Sequence, residues 1–238
     1  MATIKDLYIG AMMVDASQKL KLPYFFSLFQ DIACENAEEI GCGKKVITDR
    51  GYDWVIMRVK AEFYEPIMFG DTHELYTYPY LFKNSFIFVR NAGIKSKQNK
   101  TLAKLTSMWA LMDHKTRKIQ VRPDVPYASE YFGDDPLPLP NKLKEEEVTR
   151  LYSRQMRYSD CDINGHVNNT RYIEMICDVF DLEFYMHHYF KSVELNYMFE
   201  LKDGDLVDVW VSSDKTYIEC RVEDKTMFSA KLEFEEVK

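Results

Sequence analysis

Along the second half of the chain, apolar positions repeat with two different periods. From Arg171 to Phe184 the residues Tyr172, Ile173, Ile176, Val179, Phe180 and Phe184 recur at helical spacing, which predicts one helix over that stretch. Further on, alternating, β-branched and aromatic-rich runs predict strands over Lys191 to Glu200, Leu206 to Ser213, Lys215 to Glu223 and Met227 to Glu235. Leu151 to Tyr158 reads as a strand ahead of the helix. The first half follows the same order, with a helix from Pro23 to about Ile40. Strands follow near Trp54 to Glu65, Thr72 to Tyr80, Phe86 to Ile94 and Thr101 to Met112. One helix followed by long antiparallel strands fits a sheet wrapped around that helix.

The halves also align as sequence. "DASQKLKLPYFFSLFQDIA" from Asp15 lies without a gap over "DINGHVNNTRYIEMICDVF" from Asp162, an offset of 147 residues. At the Gly-Asp pairs beginning at Gly70 and Gly204 the offset is 134, so the first half carries 13 more residues between these anchors. Gly41 to Tyr52 is the natural place for that extra loop. Five of the eight prolines (Pro123, Pro126, Pro136, Pro138 and Pro140) fall in "RPDVPYASEYFGDDPLPLPNKLKEEEV", a stretch rich in breakers. The expected organisation is an N-terminal repeat over 1–128, a linker over 129–148 and a C-terminal repeat over 149–238, with the repeats packed as an internal dimer.

Composition narrows the function classes. The 238 residues are 46% hydrophobic, enough for a sizeable core, and the 14% aromatic content favours sheet. A net charge of -7 argues against nucleic acid as the main partner, because phosphate binding needs a basic face. Cys34, Cys42, Cys161, Cys177 and Cys220 are odd in number and contain no CxxC pair, so neither a disulfide framework nor a zinc site is expected. The start, "MATIKDLYIGAMMVDASQKL", lacks a secretory pattern, and no apolar run approaches the length of a membrane span. The expected compartment is the cytoplasm.

The densest polar stretch is "DINGHVNN", Asp162 to Asn169. Asn168 or Asn169 suits the N-cap of the following helix, and Asp162 and Asn164 suit the incoming turn. His166 alternates with Asp162 and Asn164 at a spacing of two, which in an extended segment puts all three on one side. The adjacent helix N-terminus offers amides that can hold an oxyanion. At the same places the first half has Asp15, Ser17 and Lys19, so the set as a whole belongs to one repeat.

"DCDINGHVNNTRYIE" resembles the D-L-D-V-N-x-H-V-N-N-x-x-Y-I motif of the acyl-[acyl carrier protein] thioesterases, and "LNYMFELKDGD" resembles that family's L-E-Y-x-x-E-C strand. The shorter D-x-N-x-H-V-N-N core also occurs in single-repeat acyl-CoA thioesterases. The resemblance implies an α+β fold of two tandem hotdog domains, each an antiparallel sheet wrapped around a central helix. It implies hydrolysis of fatty acyl-[acyl carrier protein], with catalytic roles for Asp162, Asn164, His166 and Glu200, the last lying 34 residues beyond the histidine. The family's cysteine is replaced by Leu201, so a water mechanism is expected in place of a cysteine nucleophile there.

On this reading Glu200 and His166 activate water, while Asn164 and backbone amides near Gly165 and Val167 orient the carbonyl. Asp162 either holds the geometry or assists directly. No cofactor or metal is needed. The expected partner is acyl carrier protein with its acyl-phosphopantetheine, met by a monomer acting as an internal hotdog dimer or by a homodimer. Lys44, Lys45, Arg50, Lys115, Arg117 and Lys118 are candidate contacts for that acidic partner. An acyl-CoA thioesterase and a non-catalytic acyl-binding hotdog module are the alternatives.

Other candidates weigh less. Cys161 reads as packing, and His187 and His188 as a loop or strand start. The chain has no GxSxG elbow, and "GCGKK" misses phosphate-loop spacing. Met57, Met68, Met108, Met112 and Met175 read as core, some of them suited to a flexible acyl pocket. The resemblance places that pocket largely in the first half, from Trp54 onward.

Overall fold

The computed structural model describes residues 2–81, 86–121, 125 and 135–237. The first half contributes β1 (Thr3–Tyr8), β2 (Tyr52–Phe63), β3 (Thr72–Leu81), β4 (Phe88–Ser96) and β5 (Thr101–Asp113). The second contributes β6 (Thr149–Gln155), β7 (His188–Tyr197), β8 (Leu206–Val211), β9 (Tyr217–Val222) and β10 (Lys225–Glu236). They form one sheet in the order β1-β3-β4-β5-β2-β7-β10-β9-β8-β6, so each half repeats the other outward from the middle. The halves join where β2 pairs antiparallel with β7, from Arg58 opposite Asn196 to Glu62 opposite Ser192. Edge-to-edge joining removes one exposed strand edge from each half.

Among the described residues, four α-helices accompany the sheet: α1 (Leu22–Glu39), α2 (Lys44–Asp49), α3 (Asn169–Cys177) and α4 (Leu182–His187). Pro23 sits in the first turn of α1, where its missing N–H costs no hydrogen bond. Helix α1 buries Phe25, Phe26, Phe29 and Ile32, and α3 buries Tyr172, Ile173, Met175 and Ile176. Both faces enter one apolar core with Val59, Ala61 and Ile94 of the first half and Val193, Leu195 and Ala230 of the second. Each half is therefore a sheet around a central helix, the tandem hotdog architecture expected from the sequence.

Single hydrogen bonds show the repeat. Ile9 N–H donates to Asp71 O at 2.9 Å, and Met156 N–H to Asp205 O at 2.8 Å. Leu20 N–H donates to Ile67 O at 2.8 Å, and Val167 N–H to Leu201 O at 2.9 Å. The isolated bridges Val14–Leu20 and Cys161–Val167 close the same turn in each half.

Three expectations change. The single helix over Arg171 to Phe184 is two helices, because the Asp181 side chain accepts the Phe184 N–H at 2.9 Å and starts α4 anew. The extra loop of the first half contains helix α2. Strand β7 ends at Tyr197, which leaves Glu200 in the connection to β8 and not in the strand expected to carry it. In the linker, Pro123 and Pro126 lie outside the described residues. The stretch 135–148 has no regular structure, yet Leu143 N–H donates to Asn196 Oδ1 at 3.0 Å and Asn196 Nδ2 donates to Asn141 O at 3.0 Å. No helix among the described residues is long and apolar enough to cross a membrane.

Candidate active site

The turn ahead of α3 is built by Asp162. Its Oδ1 accepts the Asn164 N–H at 2.8 Å and its Oδ2 accepts from Asn164 Nδ2 at 3.2 Å. Its own N–H donates to His166 O at 2.8 Å, and its carbonyl accepts the Gly165 N–H at 3.0 Å. Gly165 has φ +73°, a conformation that suits glycine. The first half builds the same turn, since Asp15 Oδ1 accepts from Ser17 N–H at 2.8 Å, Ser17 Oγ at 2.6 Å and Lys19 N–H at 3.1 Å. The aspartate is thus common to both halves. What distinguishes the second is Asn164 and His166.

Helix α3 begins at Asn169, with Asn168 as its cap accepting the Thr170 N–H at 2.9 Å. Beneath the turn, buried Asp160 accepts Arg157 N–H at 2.9 Å and Arg154 Nη2 at 2.7 Å, and its carbonyl takes the Asn168 N–H at 2.8 Å.

Glu200 comes from the connection after β7 and meets this turn. Its Oε2 lies 3.6 Å from His166 Nε2, and both side chains are 32% exposed. The neighbouring Leu201 is wholly buried, and its N–H donates to the Tyr172 hydroxyl at 2.7 Å while its carbonyl accepts Val167 N–H. Helix α3 and the turn therefore fix the backbone beside Glu200 from two directions. Burial holds the Tyr172 hydroxyl above its usual pKa, so it stays protonated. Sequence periodicity marked Tyr172 only as core. The missed signal is that a buried tyrosine needs a polar partner for its hydroxyl.

Two cations arrive from the first half. Lys44 Nζ donates to Asn164 Oδ1 at 2.6 Å, and Arg117 Nη2 pairs with Glu200 Oε2. Both were expected at a partner surface; here they touch the candidate site itself. Lys45 pairs instead with Asp49 at 2.6 Å, and Lys115 and Lys118 are exposed. The Gly165 and Val167 amides already donate to Asp162 O and Leu201 O, so an oxyanion at either position has to compete with a bond that builds the turn.

At the counterpart site in the first half, Lys19 and Pro66 line a cavity of about 40 Å³ with Phe63, Tyr189 and Phe190. Lys19 is 6% exposed and donates from Nζ to Tyr185 O at 2.6 Å; burial lowers its pKa, opposed by Asp15. A structural strut stands where the second half has His166. A cleft of about 350 Å³ lies elsewhere, between α4 and β10, lined by Phe180, Phe184, His188 and Phe234. His187 pairs with Glu183 at 3.1 Å and His188 stacks on Phe184 at 4.6 Å between centroids. No group of metal-ligating side chains occurs among the described residues. Cys161 Sγ makes only a weak 3.8 Å contact with Arg157 O.

The acyl-ACP thioesterase N-terminal domain model matches residues 4–128, and the acyl-ACP thioesterase C-terminal domain model matches residues 142–235. The chain belongs to the acyl-ACP thioesterase family. Within that family it is 25% identical over 209 residues to oleoyl-acyl carrier protein thioesterase 2, chloroplastic, of Arabidopsis thaliana, covering 79% of this chain and 56% of the relative. Oleoyl-acyl carrier protein thioesterase 1 of the same plant is 27% identical over 76% of this chain and 56% of its own length. The chain thus spans about half the length of these curated relatives. An acyl-ACP thioesterase from Bacteroides thetaiotaomicron has the same fold, with TM-score 0.89, 23% identity and 98% of each chain covered. The 12:0-ACP thioesterase from Umbellularia californica shares it at TM-score 0.81 and 18% identity, over 99% of this chain and 98% of that one.

Proposed function

We propose that this acyl-ACP thioesterase family member hydrolyses fatty acyl-[acyl carrier protein] to free fatty acid and carrier protein. The observation that carries the reading is the 3.6 Å approach of His166 to Glu200, from segments 34 residues apart in sequence, in a member of this family. Glu200 takes a proton from water as the water oxygen attacks the thioester carbonyl carbon. The C–S bond then breaks, and His166 delivers a proton to the departing sulfur. Proton return from Glu200 to His166 resets the pair. Asn164 orients the carbonyl, and Asp162 acts by holding the turn that carries Asn164 and His166. No metal or redox cofactor enters this chemistry.

The working division is a first repeat over 1–128 that shapes the acyl site, a linker over 129–148 and a catalytic repeat over 149–238, acting as one internal dimer. Acyl carrier protein bearing acyl-phosphopantetheine is the proposed partner. The free cysteines support a reducing compartment, the cytoplasm.

Steady-state hydrolysis of matched acyl-carrier-protein and acyl-CoA thioesters by wild type, His166→Ala and Glu200→Ala tests this. Turnover of the carrier-protein substrate, lost in both variants, is the expected result. Turnover of neither substrate overturns the enzyme reading, unaffected variants overturn the site, and preference for CoA replaces the carrier.

A further inference from the structure

The two nitrogen contacts on Glu200 fall on the same oxygen. Oε2 faces both His166 Nε2, at 3.6 Å, and Arg117 Nη2, whereas Oε1 has no protein partner among the described residues. A carboxylate held this way has one oxygen committed to orientation and leaves the other without a partner among the described residues. Arg117 belongs to the opposite half of the molecule, on the turn that follows β5, and that turn is itself braced. Asp113 Oδ1 accepts Thr116 N–H at 2.7 Å, Lys115 N–H at 3.0 Å and Thr116 Oγ1 at 3.0 Å. Arg117 N–H donates to Asp113 O at 2.9 Å, and Asp113 N–H donates to Lys118 O at 3.0 Å. Arg117 adopts φ +54°, the left-handed region that a non-glycine residue enters only when its surroundings dictate it.

Resting on the hydrolase reading above, we propose that Arg117 is a positioning residue for the reaction: it pins Oε2 of Glu200 so that Oε1 receives the attacking water. The catalytic group of the second repeat is then aimed by the first repeat. The counterpart site shows the same cross-repeat reach put to another use, with Lys19 of the first half bonded to the Tyr185 carbonyl of the second. There the contact joins an amine to a backbone oxygen and orients no carboxylate.

An arginine rooted in a braced turn is a better aiming device than a lysine, because its planar fork holds a direction and not merely a charge. A carrier-docking role for Arg117 makes a different demand. It needs the guanidinium to act on the carrier, and its loss then spares any substrate that has no carrier.

Arg117→Gln and Arg117→Lys are assayed beside wild type and Glu200→Gln on two substrates, an acyl-carrier-protein thioester and the matching acyl N-acetylcysteamine thioester, which is neutral. The expected result is a fall in kcat of roughly 10- to 100-fold for Arg117→Gln on both substrates, with KM little changed and partial recovery in Arg117→Lys. In the double variant with Glu200→Gln, removing Arg117 has no further effect, because nothing remains to be aimed. A raised KM confined to the carrier-protein substrate, or a wild-type kcat in Arg117→Gln, overturns this role and leaves the hydrolase reading standing. A wild type inactive on both thioesters overturns the hydrolase reading and this role with it.

Discussion

Asp15 and Asp162 make one turn twice, and replacing each by alanine separates architecture from catalysis. Asp15 accepts three hydrogen bonds from its turn, and Asp162 accepts two. At about 1 kcal/mol net per bond, the cost is about 2–3 kcal/mol for Asp15→Ala and about 1–2 kcal/mol for Asp162→Ala. At this chain length each kcal/mol moves the melting midpoint by about 2–4 °C, so Asp15→Ala melts about 4–12 °C early and Asp162→Ala about 2–8 °C early. Their catalytic effects diverge. Asp162→Ala frees the segment bearing Asn164 and His166 and lowers kcat by about 100-fold, the scale of a misplaced catalytic group. Asp15→Ala relaxes a turn bearing Ser17 and Lys19 and keeps the wild-type kcat. Thermal melts and thioester hydrolysis on the same preparations measure both quantities. Equal losses of kcat in the two variants, or an unshifted melt for Asp15→Ala, refute the assignment of the aspartate to turn building and the active set to the second half.

Other outcomes follow from the same geometry. Tyr172→Phe leaves the buried Leu201 N–H without its acceptor, which costs about 1–3 kcal/mol and loosens Glu200; chemical denaturation shows the first effect and a reduced kcat the second. Cys161→Ser keeps activity, and a dead but folded variant contradicts a packing role. Stability falls as pH rises above about 9. Burial pushes the thiols of Cys177 and Cys220 up to about 12 from 9.0, and holds Tyr152, Tyr185 and Tyr197 well above 10.0. In that window the unfolded chain has released protons that the folded chain retains, so unfolding gains at each step. Urea midpoints at about pH 8 and about pH 10.5 measure this, and a midpoint that does not fall between them contradicts it.

Much of the design is local and was therefore legible along the chain. The helix over Leu22–Glu39 and most strands follow from apolar period, because burial of one face is what each element contributes to folding. The gapless alignment of Asp15 with Asp162 anticipated the shared turn, since an Asx turn is encoded within five residues. The break between α3 and α4 was also local, but the capping aspartate at 181 was masked by apolar residues that kept the helical period on both sides.

By itself the sequence determined the two-repeat plan, the element order and the residue types available for catalysis, because these depend on periodicity and short-range hydrogen bonding. Only the tertiary structure decided which of those residues meet. Glu200 reaches His166, Tyr172 holds Leu201, and Arg117 and Lys44 cross from the first repeat because β2 pairs with β7 and brings the halves together. Arg117 and Glu200 are 83 residues apart in sequence. No local pattern encodes a pair that far apart; its closure is set by packing of the shared core and the register of one strand pair.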